Sequence, residues 1–84
     1  MKRRQRRTLE RLFEIPERAD VAWRDVESLF SALAAEVSAG RGSRVRVALG
    51  GVRAVFHRPH PRKEPGKTMV RSVRRFLTEA GVRP

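Results

Sequence analysis

The spacing of apolar residues over positions 1–40 predicts two helices. The first is short and ends before Pro16, because a residue that precedes proline is disfavoured in the α-helical region. Its apolar face consists of Leu9, Leu12 and Phe13. The second helix has Asp20 as its N-cap and begins with Trp23 packed against the first helix. Its core-facing stripe consists of Val26, Leu29, Phe30, Leu33 and Val37.

A third helix is predicted near the C-terminus, after a proline-studded loop at residues 58–66. Gly81 is a suitable C-cap residue for it. The buried stripe of this helix consists of Met69, Val70, Val73, Phe76, Leu77 and Ala80. Its other side is basic and consists of Lys67, Arg71, Arg74 and Arg75.

Between the second and third helices the apolar period changes from helical to alternating, which predicts three strands. Residues 36–39 form a short strand that leads into a glycine-containing turn at 40–42. Residues 43–49 and 52–57 alternate strictly, and Gly50-Gly51 between them is a two-residue hairpin signal.

The Gly50-Gly51 turn predicts the pairing register of the hairpin, since the residues that flank it must face each other. One face is then apolar and consists of Val45, Val47, Leu49, Val52, Ala54 and Phe56. On the other face Arg44 lies opposite His57, Arg46 opposite Val55, and Ala48 opposite Arg53. We therefore expect an α+β fold with a three-stranded antiparallel sheet packed on helices and a cationic outer face.

Length and composition limit the classes of protein that this chain can be. Its 84 residues, 39% of them hydrophobic, fit a single domain at 1–84, with a basic arm and short helix at 1–20 and the core at 21–84. The absence of cysteine excludes disulfides and thiolate metal sites. No apolar run reaches the roughly 18 residues of a membrane span, so we expect a cytoplasmic protein without a membrane partner.

The basic residues are concentrated at the two ends of the chain. Residues 1–7 hold five basic and no acidic residues, 8–40 hold three basic and seven acidic, and 41–84 hold twelve basic and two acidic. A coding bias toward arginine would explain why arginine outnumbers lysine. It would not explain why the basic residues are concentrated at the two ends of the chain. A net charge of +11 implies a polyanionic partner. The predicted RNA-binding residues are Arg44, Arg46, Arg53, Arg71, Arg74 and Arg75.

Several short motifs in the C-terminal three quarters of the chain resemble the HicA toxins. The resemblance covers residues 22–82 and rests on Gly42-Ser43, the hairpin, Pro59-His60-Pro61, Gly66-Lys67-Thr68 and Ala80-Gly81. It implies an mRNA interferase with an α-β-β-β-α core similar to double-stranded-RNA-binding domains, here with an extra N-terminal helix. It also implies an acidic HicB-like antitoxin as partner, and DNA contact through the antitoxin complex, because such pairs often repress their own operon.

One position departs from the family pattern that the resemblance implies. The family has a catalytic histidine after the Gly-Ser pair, where this chain has Arg44, and a permanently charged arginine is no general base. His57 lies across the predicted ladder, with Cβ atoms about 4.5–5.5 Å apart in such pairs, so it is the first candidate for the base. His60, which matches a histidine of the family's proline-rich loop, is the second candidate.

Other kinds of chemistry find little support in the sequence. The His57-x-x-His60 pair would need a third metal ligand, and the nearby Glu64 sits in a strongly basic segment, so we expect no metal and no cofactor. Two alternatives to the RNA-cleaving enzyme stay open. One is a non-catalytic RNA-binding module in which His57 only contacts phosphate, and the other is an operon regulator that binds nucleic acid.

Overall fold

The computed structural model describes residues 1–59 and 66–84 of the chain and confirms the predicted α+β class. The elements follow in the order α1 (Arg3–Leu12), α2 (Trp23–Ala32), β1 (Glu36–Ala39), β2 (Arg44–Leu49), β3 (Val52–His57) and α3 (Gly66–Glu79). The last five elements form the α-β-β-β-α arrangement. His60 and the other residues at 60–65 lie outside the described residues.

The three strands form one antiparallel sheet in the order β1-β2-β3, with β2 in the centre. The hairpin register is the predicted one, from Arg44 opposite His57 to Leu49 opposite Val52. β1 pairs with β2 from Glu36 opposite Ala48 to Ala39 opposite Val45. A shift by one residue would have moved the valines of β2 into solvent, which is why the alternation and the Gly50-Gly51 turn together predicted the register.

The β2–β3 turn depends on the backbone freedom of glycine. Gly50 and Gly51 have φ angles of +57° and +79°, which two-residue turns of this hand require and other residues rarely adopt. Gly50 also lies close to the end of α3, where a Cβ atom would be 3.0 Å from the Ala80 carbonyl oxygen. This turn therefore sets the hairpin register and also allows close packing of α3.

Helix α1 begins earlier than the sequence predicted. Residues 3–7, expected as a basic arm, form the first turns of the helix. Arginine is a good helix former, so a run of arginines does not oppose helix formation through its intrinsic propensity. Gln5 also ties these turns to α2, because its Nε2 donates to Ser28 Oγ at 3.1 Å. Leu9 and Leu12 are buried in the common core.

The predicted bounds of the second helix were wrong at both ends. Asp20 is not its N-cap: α2 is preceded by Ala22, and the Asp20 carboxylate accepts hydrogen bonds from Arg18 at 2.9 and 2.8 Å. The helix ends at Ala32, so Val37 belongs to β1 and not to the helical stripe.

The chain leaves α2 through Ala34, which has a φ angle of +59°. The N–H groups of Ala34 and Ala35 donate to the carbonyls of Ser31 and Phe30, both at 3.0 Å, as in a Schellman motif. Glycine usually occupies this left-handed position, and alanine there costs about 1–2 kcal/mol. Without a glycine, the sequence carries no signal for this helix end.

Helix α3 and its C-cap agree with the prediction. Val70, Val73, Phe76 and Leu77 are buried. Gly81 has a φ angle of +82°, and Val82 N–H donates to the Leu77 carbonyl at 2.8 Å.

Helices α2 and α3 pack on one face of the sheet around a cluster of aromatic rings, and α1 packs on these two helices. The rings of Phe30 and Phe56 are stacked at 5.9 Å, and Phe76 meets both edge-on at 5.8 Å. The Trp23 ring is buried beside Phe30 and Phe56, so it packs in the core. Because the helices cover this inner face, the side chains of the opposite face project into solvent.

Candidate nucleic-acid interface

The outer face of the sheet presents its side chains in three rows that run across the strands. The first row consists of Gly40, Arg44 and His57, the second of Ser38, Arg46 and Val55, and the third of Glu36, Ala48 and Arg53. Apart from Ala48 and Gly40, which are half-buried, all of these residues are exposed. The predicted cationic face of the hairpin is therefore present, and β1 extends it with small and polar residues.

Arg44 and His57 are directly opposed in the first row. The Arg58 N–H donates to the Ser43 carbonyl at 2.7 Å, so the neighbouring pair is hydrogen-bonded and the Arg44–His57 pair is not. Side chains approach each other most closely at such non-hydrogen-bonded positions, with Cβ atoms about 4.5–5.5 Å apart. A phosphate at this row would contact a guanidinium and an imidazole together.

Gly40 leaves space beside Arg44 on the β1 side of the row. Its N–H donates to the Arg44 carbonyl at 2.8 Å, and a Cβ atom on it would be 3.1 Å from the Arg44 Cβ. Such a contact is tighter than nearly all real Cβ contacts. Because glycine stands there, the Arg44 side chain has room on the side away from His57.

The second and third rows enclose a shallow depression of about 440 Å³. Its charged rim consists of Arg46, Arg53 and Glu36, and the exposed Val55 and half-buried Ala48 line the apolar part. An apolar floor between two guanidinium groups can accept the flat face of a nucleobase, since arginine both stacks and binds phosphate.

The three arginines of the outer face have no carboxylate partner among the described residues, in contrast to Arg58 at the edge, which lies 3.7 Å from Glu27. Arg44, Arg46 and Arg53 are also exposed. Their guanidinium groups are therefore available for a polyanion without first breaking an ion pair with a described residue.

The predicted arginines of α3 lie on the helical side of the domain, which we call the helix layer. This layer is on the other side of the core from the outer face of the sheet. Arg74 is bound there: its NH2 group is 2.8 Å from Glu17 Oε1, and its NH1 group is buried with no hydrogen-bond partner among the described residues. Arg71 Nε lies 3.5 Å from the same carboxylate oxygen. Arg75 is exposed beside them. The six predicted RNA-binding arginines therefore form two separate groups.

Glu17 is the residue of this second group that sequence reasoning missed. The hydrogen bond from Arg74, helped by the charges of Arg71 and Arg74, lowers the pKa of Glu17 from 4.5 to about 2. Glu17 is 57 positions from Arg74 in the chain. No local pattern signals a contact over that separation, so only the folded chain shows it.

A profile of the "HicA toxin of bacterial toxin-antitoxin" family matches residues 23–82, well over half of the chain. The chain belongs to the HicA toxin family. Searches of curated proteins and of solved structures found no match.

The part of the chain matched to the HicA family contains both arginine groups, together with Arg44 and His57. Helix α1 and Glu17 lie before it. The match therefore confirms the family that the motifs at 42–81 indicated, and it leaves α1 as an addition to the HicA core.

The described residues contain neither a cluster of metal ligands nor a helix that could cross a membrane. No three or more His, Asp or Glu side chains come together there in a way that would hold a metal ion. None of the described helices has the length and apolar character needed to cross a membrane. His60, the second candidate base, lies outside the described residues and stays a prediction.

Proposed function

We propose that this HicA-family toxin binds RNA on the outer face of its sheet and cleaves it without a metal ion, in the cytoplasm, as an mRNA interferase. The observation that carries the proposal is the direct opposition of Arg44 and His57 on the exposed face. It places an imidazole, the side chain that most often acts as a general base, directly opposite a permanent positive charge.

In the proposed reaction, the His57 imidazole takes the proton from a ribose 2′-hydroxyl. The 2′-oxygen attacks the adjacent phosphorus, the bond to the 5′-oxygen breaks, and that oxygen takes up a proton from solvent or from a general acid as it leaves. The products are a 2′,3′-cyclic phosphate and a 5′-hydroxyl end. Arg44 stabilises the charge that develops on the phosphate oxygens. The sequence also leaves His60 as an alternative base or as the acid.

The remaining rows of the outer face support binding rather than chemistry. Arg46 and Arg53 are exposed, unpaired among the described residues and close enough to line one depression. We expect them to hold the phosphates that flank the cleaved bond, with a base over Val55 and Ala48. Because arginine binds the backbone and stacking is sequence-tolerant, this arrangement favours single-stranded RNA of broad sequence.

A non-catalytic RNA-binding module is the alternative, and Arg44 itself favours it. Arginine stands where the family pattern that the sequence resembles has its catalytic histidine, and it cannot act as a general base. The outer face would then keep its charge and its affinity for RNA without breaking a bond. The two proposals share the binding surface and differ only in what His57 does.

Replacement of His57 separates the two proposals. If His57 is the base, His57→Ala lowers the cleavage rate by about 10²–10⁴-fold, the usual loss for a general base, and leaves RNA affinity nearly unchanged. The measurement is single-turnover cleavage of a labelled RNA, with affinity and circular dichroism measured on the same samples. His60→Ala is measured in parallel, because His60 is the second candidate for the base. Full activity of His57→Ala with an inactive His60→Ala would move the base to the loop.

Arg44→His tests the same site in the opposite direction, because it restores a histidine at the position of the family's base. Its imidazole would be directly opposite His57, and cleavage is expected to rise, or to begin if the parent chain has none. If the parent chain and Arg44→His both bind RNA and neither cleaves any RNA tested, the non-catalytic module becomes the better description.

We also propose an acidic HicB-like antitoxin as the protein partner, which would cover the outer face and mask it. A net charge of +11 on 84 residues supports such a partner, since the free chain would bind cellular RNA without selection. DNA contact would arise only within that complex, at the operon of the pair. Co-expression with the adjacent gene tests the pairing: separate purification, with no relief of toxicity, would contradict it.

A further inference from the structure

Helix α1 presents a second basic surface, which the proposed cleavage site does not use. Its exposed side chains are all charged and consist of Arg3, Arg4, Arg6, Arg7 and Glu10. Three of them, with Arg11, line a groove of about 240 Å³ that α1 forms beside Asp25 of α2. Arg3, Arg7 and Arg11 recur every four residues, which corresponds to a rise of about 6 Å between successive guanidinium-bearing positions.

The positive charge of α1 lies mostly near its N-terminus, where it destabilises the helix. The first turn of α1 has no acidic residue, and its N-cap is Lys2. Positive charge near a helix N-terminus opposes the macrodipole, and like charges four residues apart, such as Arg3 and Arg7, repel each other. Only Arg11, in the last turn, is favourably placed. Folding alone does not account for such a distribution.

The helix is nevertheless held firmly on the domain. Leu9 and Leu12 are buried in the common core. Gln5 accepts a hydrogen bond from Lys2 N–H at 2.8 Å and donates one to Ser28 Oγ at 3.1 Å. The arginines therefore stand on a fixed support, and none of those in the first two turns forms an ion pair with a described residue.

We propose that α1 binds a second stretch of RNA backbone, outside the sheet face. This inference rests on the proposed RNA-binding function and extends it. The exposed side of α1 has no apolar side chain, whereas a protein interface needs an apolar centre. A dense set of cationic side chains without apolar neighbours suits a phosphate backbone, because neutralised phosphates release their counterions.

The position of α1 predicts a dependence on RNA length. It packs on α2 and α3 and contacts none of the three strands, so it lies outside the sheet face that carries Arg44 and His57. The domain measures 31 × 30 × 21 Å. A short RNA on the sheet would not reach α1, and an RNA several times longer would contact both surfaces.

The test is the triple variant Arg3→Gln, Arg4→Gln, Arg7→Gln, with Arg24→Gln as matched control. Arg24 is an exposed arginine in the first turn of α2 that does not line the groove. For a long single-stranded RNA, the slope of log affinity against log salt should become shallower by about 2, because each phosphate contact contributes about 0.7. A tetranucleotide should bind the triple variant and the parent chain equally.

The same variant should be more stable to heat than the parent chain, because neutral residues remove charge that opposes the helix dipole. Loss of affinity together with a gain in stability cannot come from unfolding. A lower melting temperature, an unchanged salt slope on long RNA, or an equal loss on the tetranucleotide would each overturn the proposal. So would weakened binding of duplex DNA or of the antitoxin with RNA binding unchanged.

Failure of this inference is distinguishable from failure of the proposed function. If the α1 variant behaves like the parent chain while neutralisation of Arg44, Arg46 and Arg53 weakens RNA binding, only the α1 surface is overturned. If the parent chain binds neither short nor long RNA, the proposed function itself fails.

Discussion

The outer face of the sheet and the α3 side of the helix layer each carry three of the predicted RNA-binding arginines, but the two groups differ in what surrounds them. Arg44, Arg46 and Arg53 stand on consecutive rows with no carboxylate bound to them among the described residues. In the helix layer, Glu17 accepts from Arg74 at 2.8 Å and lies 3.5 Å from Arg71.

This difference teaches that the number of arginines on a surface does not measure its capacity for RNA. An arginine already bound to a carboxylate must give up that contact before it binds phosphate, and a partly buried one must also move. The side chain of Arg74 is only 20% exposed, whereas that of Arg71 is 54% exposed. We therefore expect the outer face to dominate RNA binding and the helix layer to use Arg74 mainly for stability.

Neutralising each group in turn gives the largest expected effect. The variant Arg44→Gln, Arg46→Gln, Arg53→Gln should make the salt slope of single-stranded RNA binding shallower by about 2, at about 0.7 per lost phosphate contact. The matched variant of Arg71, Arg74 and Arg75 should lose less, and it should be less stable. Binding titrations at several salt concentrations measure both. Equal losses would remove the distinction between the two groups.

Glu17→Gln should turn the helix layer into a better RNA surface. Without the carboxylate, Arg71 and Arg74 are free to contact phosphates, and the salt slope should steepen by up to about 1.4, two contacts at about 0.7 each. Thermal stability should fall at the same time, because the Arg74 guanidinium loses its partner. Glu14→Gln is the control, since Arg18 keeps its pairing with Asp20. A lower RNA affinity in Glu17→Gln would contradict the comparison.

Gly40→Ala should disturb the outer face by a smaller amount. The new Cβ would be 3.1 Å from the Arg44 Cβ, so the Arg44 side chain has to shift. We expect the salt slope to change by less than about 0.7, the contribution of one contact, together with slower cleavage. Gly42→Ala is the control: it strains a φ angle of +61° but has no atom within 4 Å of its Cβ. If only Gly42→Ala affects RNA binding, Gly40 is not what gives Arg44 its room.

The two regions also differ in how far the sequence predicted them. The outer face follows from local rules, because the strand alternation and Gly50-Gly51 determine which residue is opposite Arg44. The Glu17–Arg74 contact depends on how the α1–α2 connection packs on α3, which no local pattern encodes. The prediction of the α2 boundaries was wrong for a related reason. Arg18 binds the Asp20 carboxylate, and Ala34 takes a conformation that normally needs glycine.

Lowering the pH should test the role of Glu17 in the helix layer without any substitution in the outer face. The quantity that should change is the stability of the folded chain. The pKa of Glu17 is lowered from 4.5 to about 2 by the hydrogen bond from Arg74. A carboxyl group with a depressed pKa stabilises the folded state fully above its ordinary pKa, and this stabilisation is lost as the pH falls through the folded pKa. The parent chain should therefore lose stability between about pH 4.5 and about pH 2.

Glu17→Gln lacks that ionisation, so its stability should change less over the same range. Both chains keep some acid sensitivity, because Arg18 lowers the pKa of Asp20 in each. The difference between the unfolding midpoints of the parent chain and Glu17→Gln is measured by denaturation at a series of pH values from neutral downward. It should be largest above pH 4.5 and should disappear near pH 2. A gap that stays constant would mean that Glu17 acts through packing and not through its charge, and the carboxylate would then not be what keeps Arg71 and Arg74 from RNA.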